Sequence, residues 1–230
     1  FDSLLPQRFQ CLGYDQRGLG QSGKPDRPYS MADYADDAAA LLDALGWDRC
    51  AVFGVSFGGM VAQEFALRHQ SRVSRLVLAC TSPGGAGGAS YPLHTIGNLT
   101  AEERARHMIP INDVRRDAAW ATANPDAYKA RLENFVARGK LIEESEAGRM
   151  GARRQIEARS HHDSFARLPQ LKMPVFICGG RHDGIAKPAS LQAMHRQIAG
   201  SKLELFEGGH FFLMEDPKAY AAIAGFLAAP

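Results

Sequence analysis

The chain has 230 residues, 45% hydrophobic and 23% charged, which is enough to bury one sizeable core in one domain that could also carry an insertion. A net charge of +2 and a pI near 8.4 argue against the basic face that nucleic-acid or membrane-surface binding needs, so the expected partner is a small neutral or modestly anionic molecule. The longest apolar stretch, Ala219 to Ala229, falls well short of the roughly 20 residues of a membrane span and reads as a core-facing helix.

The first apolar run, Phe9 to Tyr14, predicts a strand closed by the turn-rich loop Asp15 to Gly23. Within that loop Asp15 and Arg17 read as a structural pair. Ser30 with Asp33 predicts a capped helix, because Tyr34, Ala38, Leu41, Leu42 and Leu45 then fall on one face until Gly46. Cys50 to Val55 is the next strand. A helix to about His69 follows, with Met60, Val61, Phe65 and Ala66 inward, and Val73 to Ala79 is another strand. Continuous apolar strands alternating with helices predict an α/β fold with a mostly parallel sheet covered on both faces.

From Thr81 the pattern changes. Ser82 to Gly88 lacks the Lys-Ser/Thr ending of a phosphate loop and reads as a flexible hinge. No long strand is expected between Tyr91 and Leu168; Thr100 to Met108, Asp126 to Arg138 and Glu143 to Arg159 are charged helices. Residues 83–168 are therefore expected to form a helical cap inserted into a core of residues 1–82 and 169–230. Pro174 to Gly179 resumes the sheet, followed by a helix over Pro188 to Ile198, a strand over Lys202 to Phe206 and a final helix over Pro217 to Leu227. Cys11, Cys50, Cys80 and Cys178 lie in or beside apolar runs without metal-ligand spacing. They are expected to be small buried hydrophobes of a reducing, cytoplasmic compartment.

The chemistry starts at Gly54-Val55-Ser56-Phe57-Gly58, a strand-to-helix turn that can lift a serine hydroxyl above the sheet edge. Matches of this length arise by chance, so context must carry the assignment. A serine hydroxyl needs a base within reach and a third group to orient that base. Asp183 follows the strand that ends at Gly179, and Gly209-His210 follows the strand after it. Ser56, Asp183 and His210 thus come from three strand ends, the edge where parallel sheets bind ligands. The N–H of Phe57, at the start of the next helix, is the expected first oxyanion donor. His182, beside Asp183, could be mistaken for the base, whereas the strand-end position and Gly180 favour Asp183 as the acid. His161-His162-Asp163 resembles a metal cluster, but adjacent histidines point apart and no further ligand stands at fitting spacing, so no metal is expected.

Gly54-Val55-Ser56-Phe57-Gly58-Gly59, the loop Asp15-Gln16-Arg17-Gly18-Leu19-Gly20-Gln21-Ser22, and Gly209-His210, in the order Ser, Asp, His, resemble the α/β-hydrolase superfamily over essentially the whole chain. The resemblance is nearest to its small cofactor-free esterases, enol-lactonases and perhydrolases. It implies Ser56 as nucleophile, His210 as general base and then acid, Asp183 as the carboxylate that orients it, no cofactor, and hydrolysis of a small ester or lactone. Acyl transfer to peroxide, or ligand binding without turnover, are the alternatives. The family pattern also places strands and a His-Gly loop, the source of a second oxyanion N–H, ahead of Phe9. Phe1 to Pro6 reads like the helix after that loop. On this resemblance the 230 residues are expected to be a fragment of a longer protein, unstable or inactive alone.

Overall fold

The computed structural model describes residues 4–143 and 145–229, the side chains of 140–143 excepted. Four strands pair in one parallel sheet in the order β1 (Cys50–Val55), β2 (Val73–Ala79), β3 (Val175–Gly180) and β4 (Lys202–Phe206). Parallel strands need crossovers, and helices supply them: α2 (Phe57–Arg68) joins β1 to β2, and α7 (Pro188–Gln197) joins β3 to β4. The central strand β3 has no polar alternation because both of its faces are covered, whereas the edge strand β4 alternates Lys202 and Glu204 outward with Leu203 and Leu205. On one face, Leu76, Leu78 and Ile177 pack with Ala35 and Leu42 of α1 (Met31–Ala44), Phe65 of α2, and Leu191 and Met194 of α7. On the other, Val77, Phe176 and Cys178 meet Phe212 of α8 (Phe212–Glu215) and Ala219 and Ile223 of α9 (Lys218–Leu227).

The helix start expected at Ser30 is a capping box. The Ser30 hydroxyl accepts the Asp33 N–H at 3.1 Å while the Asp33 carboxylate accepts the Ser30 N–H at 2.9 Å. Arg27 donates a hydrogen bond to the same carboxylate and holds Asp33 well below the usual carboxylate range. Between β2 and β3 the described residues form no strand. They form α3 (Ala101–Asn112), α4 (Ala118–Ala123), α5 (Pro125–Glu143) and α6 (Glu146–Ser160). α3 runs past its expected end at Met108 and through Pro110, because Ile111 and Asn112 find backbone partners across the site, described below.

Several expectations are corrected. Phe9 to Tyr14 is no strand: it pairs with no described strand, and Leu12 and Tyr14 are exposed, since a strand exists only through its ladder. Phe1 to Ser3 lie outside the described residues, and Leu4 to Phe9 form turns rather than a helix. Arg17 does not pair with Asp15. It forks onto Asp37 of α1 at 2.6 and 2.8 Å, whereas Asp15 folds back to accept the Gln21 N–H at 2.9 Å. Thr81 to Gly84 is a buried crossing rather than a loose hinge, and Gly84 bridges to Asp163. Gly84 has φ +72°, and any Cβ there would strike the His162 carbonyl. Cys80 and Cys178 are buried, but Cys11 is exposed because the run containing it never joins the sheet.

Candidate active site

Ser56 is the link between β1 and α2, and its backbone is held at φ +54°, ψ −117°, where a non-glycine residue is strained. Its N–H donates to the Ala79 carbonyl at 2.9 Å, which ties the turn to the end of β2. A Cβ at 54 would meet Gly58 and Ala62, and one at 59 would meet Thr81 at 2.6 Å, so these glycines let α2 fold back hard on the sheet. A Cβ at 58 would meet nothing within 4 Å among the described residues. The motif's second glycine is therefore not sterically required here, and its neighbour Gly59 takes that part. Tyr34 packs edge-on against Phe57 at 5.1 Å and wedges α1 under the turn.

The three strand ends converge. Asp183, buried on the loop after β3, accepts the N–H groups of Ile185 at 2.7 Å and Ala186 at 3.0 Å through Oδ1. Its Oδ2 accepts His210 Nδ1–H at 2.7 Å. With that proton committed to the carboxylate, Nε2 is left as an acceptor, and the Ser56 hydroxyl donates to it at 2.8 Å. The result is one continuous chain of hydrogen bonds from Asp183 through His210 to Ser56. The His210 side chain is 10% exposed and that of Asp183 fully buried, so the pair works in a low-dielectric pocket while Ser56 stays half-open.

Phe57 occupies the first position of α2, where a backbone N–H has no partner inside the helix, so it is free to face charge developing beside Ser56. His182 points away, toward Glu207 at 3.5 Å. His161 is exposed and His162 buried, so the two histidines face different surroundings. Burial pushes His162 down to about 4.

Two further features lie beside the three side chains, and no local pattern places them there. Cys80 follows β2 at φ +38°, beside the Ser56 turn, and burial, with the Asp183 charge adding, raises its thiol well above the usual range. The turn at 111–116 also lies against both the Asp183 and His210 loops. Its polar Asn112-Asp113 ending was visible, but nothing local said where it would dock.

A parallel sheet with crossover helices and a strand-to-helix serine turn defines the class of an α/β hydrolase. The chain belongs to that family: residues 1–130, more than half of it, match the model of the alpha/beta hydrolase fold. The protein is a hydrolase. It is 27% identical over 225 residues to a poly(3-hydroxyalkanoate) depolymerase of Ectopseudomonas oleovorans, covering 97% of this chain and 76% of that protein. Over 228 residues it is 25% identical to the 3-oxoadipate enol-lactonase 2 of Acinetobacter baylyi, covering 95% and 78%. Among solved structures, the enol-lactonase from Burkholderia xenovorans superimposes with a TM-score of 0.74 at 25% identity, covering 94% and 80%.

Proposed function

We propose that the protein cleaves a small ester, lactone or related acyl compound through an acyl-enzyme on Ser56. The carrying observation is the hydrogen-bonded chain from Asp183 to His210 to Ser56, at 2.7 and 2.8 Å. In this reading Nε2 of His210 takes the Ser56 proton as Oγ attacks the acyl carbon, and then delivers it to the leaving oxygen. Asp183 balances the imidazolium that forms. The Phe57 N–H stabilises the oxyanion, and the α2 N-terminus adds to its field. Water activated by His210 then releases the acid. The relatives' names, a depolymerase and enol-lactonases, support acyl hydrolysis as the reaction class. We further propose that residues 83–168 act as a cap that selects the substrate, since α5 brings Phe135 to 6.0 Å from Phe211, next to His210. No cofactor enters this scheme, and the partner is a small molecule.

Replacing Ser56 by Ala tests the reading. Ester turnover and labelling by a fluorophosphonate probe should both vanish while the melting temperature stays within a few degrees of wild type. Labelling retained by the variant would remove Ser56 from the scheme.

A further inference from the structure

The His210 loop runs from Glu207 to Phe211 between β4 and α8, and it is gripped from the far side by the turn that ends α3. Three backbone hydrogen bonds tie this turn to the active-site loops, one to the His210 loop and two to the loop of Asp183. The Gly184 N–H donates to the Ile111 carbonyl at 3.0 Å, the Val114 N–H to the His182 carbonyl at 2.9 Å, and the His210 N–H to the Asn112 carbonyl at 2.6 Å. One turn therefore holds the loops of both Asp183 and His210. Close approach is what the glycines allow: a Cβ at 209 would strike the Asn112 carbonyl, and one at 184 would lie 2.6 Å from the Ile111 oxygen.

A chain of charges reinforces this contact. Asp113, whose side chain is 1% exposed, lies 3.4 Å from the Arg116 guanidinium, which hydrogen-bonds Glu215 Oε1. The other Glu215 oxygen accepts the N–H of Gly209, the residue before His210, at 2.9 Å. Arg115 closes the group on the solvent side, 2.8 Å from Asp113 and 3.5 Å from Glu207. Asp113, Arg115, Arg116 and Glu215 balance in charge, so none of these groups is buried alone. A mostly buried, satisfied network of this kind holds its members in one arrangement.

We propose that Arg116 and Glu215 are positioning residues: through the Gly209 N–H they fix the loop carrying His210, so that alignment of His210 on Ser56 depends on docking of the 111–116 turn. The catalytic part of this statement rests on the serine-hydrolase reading above. The geometric part does not. Geometry is worth a great deal in such a site, because a displacement of about 1 Å between base and nucleophile can cost on the order of a hundredfold in rate.

The test compares wild type with Glu215→Ala and Glu215→Gln, measuring the melt, kcat and KM for a chromogenic acetate ester, and the downfield NMR resonance of the His210 Nδ1 proton shared with Asp183. Glu215→Ala should melt cooperatively, lose that resonance to exchange, and drop in kcat by roughly 30- to 100-fold with KM changed less than about twofold. Glu215→Gln keeps an acceptor for the Gly209 N–H, and should restore the resonance and bring kcat within about fivefold of wild type. A resonance and a kcat both unchanged in Glu215→Ala would overturn the proposal. If Glu215→Ala does not fold, Arg116→Met, which cuts the anchor and leaves the acceptor, should weaken the resonance and lower kcat by roughly 3- to 10-fold, and a resonance and a kcat both unchanged would overturn the proposal. Loss of the resonance in Glu215→Ala, with a wild-type Ser56 that resists fluorophosphonate, would uphold the positioning role and overturn the hydrolytic reading instead.

Discussion

β3 buries all six of its residues, and β2 buries five of seven; α4 buries none, and α6 only Gly151 and Ala158. The sheet and the helices between β2 and β3 are thus attached to the molecule by different forces. Apolar area removed from water holds the sheet, a term without direction that tolerates small shifts. The helical segment is pinned at points. Arg167 forks onto Glu64 of α2 at 2.7 and 3.1 Å, the Tyr91 N–H donates to the Ile185 carbonyl at 2.8 Å, and Arg116 hydrogen-bonds Glu215. Directional contacts set position where bulk burial sets stability. The two regions should therefore fail differently when changed, the sheet in its melt and the pinned segment in its turnover.

The largest expected effect lies at the meeting point of the two regions. His210→Gln should lower kcat by roughly 10⁴- to 10⁶-fold, since removing one member of such a set costs nearly as much as removing all, with little change in the melt. Steady-state ester kinetics beside a thermal melt check this, and a kcat reduced less than tenfold would break the division between regions. Deep in the sheet, Leu78→Ala should do the reverse. Leu78 is fully buried, and truncation there costs about 2–5 kcal/mol, or a fall of roughly 5–15 °C in melting temperature, while kcat per folded molecule stays within about twofold. Active-site titration of the variant separates lost protein from lost rate.

His162 sharpens the comparison at the border, where the helical segment returns to the sheet. Its folded pKa is lowered by burial to about 4, below the 6.5 of a free imidazole. Between those values the unfolded chain takes up a proton that the folded one refuses. The contribution is therefore complete above pH 6.5 and is lost as the pH falls toward 4, amounting to roughly 3 kcal/mol. His162→Leu should remove this part of the acid sensitivity, so the gap between wild-type and variant melting temperatures should shift steadily from pH 7 to pH 4.5. A gap that stays constant with pH would show that His162 is not held neutral by burial.

Much of this molecule is legible residue by residue. The strands at Cys50, Val73 and Lys202 span the residues expected of them, and the Ser30 cap follows from a hydroxyl and a carboxylate three positions apart. The strand-end positions of Ser56, Asp183 and His210 follow from topology alone, because parallel strands return their carboxyl ends to one edge. The misreadings share a cause. Phe9 to Tyr14 has the composition of a strand but no described neighbour to pair with, and Arg17 chose Asp37, 20 positions away, over Asp15 two positions away. Composition reports what a segment can do, and the partner decides what it does.

By itself, then, the amino-acid sequence determined the α/β alternation, the helical run between β2 and β3, and the three residues whose side chains meet, since each depends on periodicity or on strand direction. Tertiary structure alone decided that Gly59 rather than Gly58 makes room for the turn, that His162 is buried, and that Arg116 reaches Glu215 across 99 positions. Local spacing encodes neighbours along an element. Close approach, burial and long-range charge pairing depend on which surfaces finally touch, and those surfaces exist only once the elements have packed.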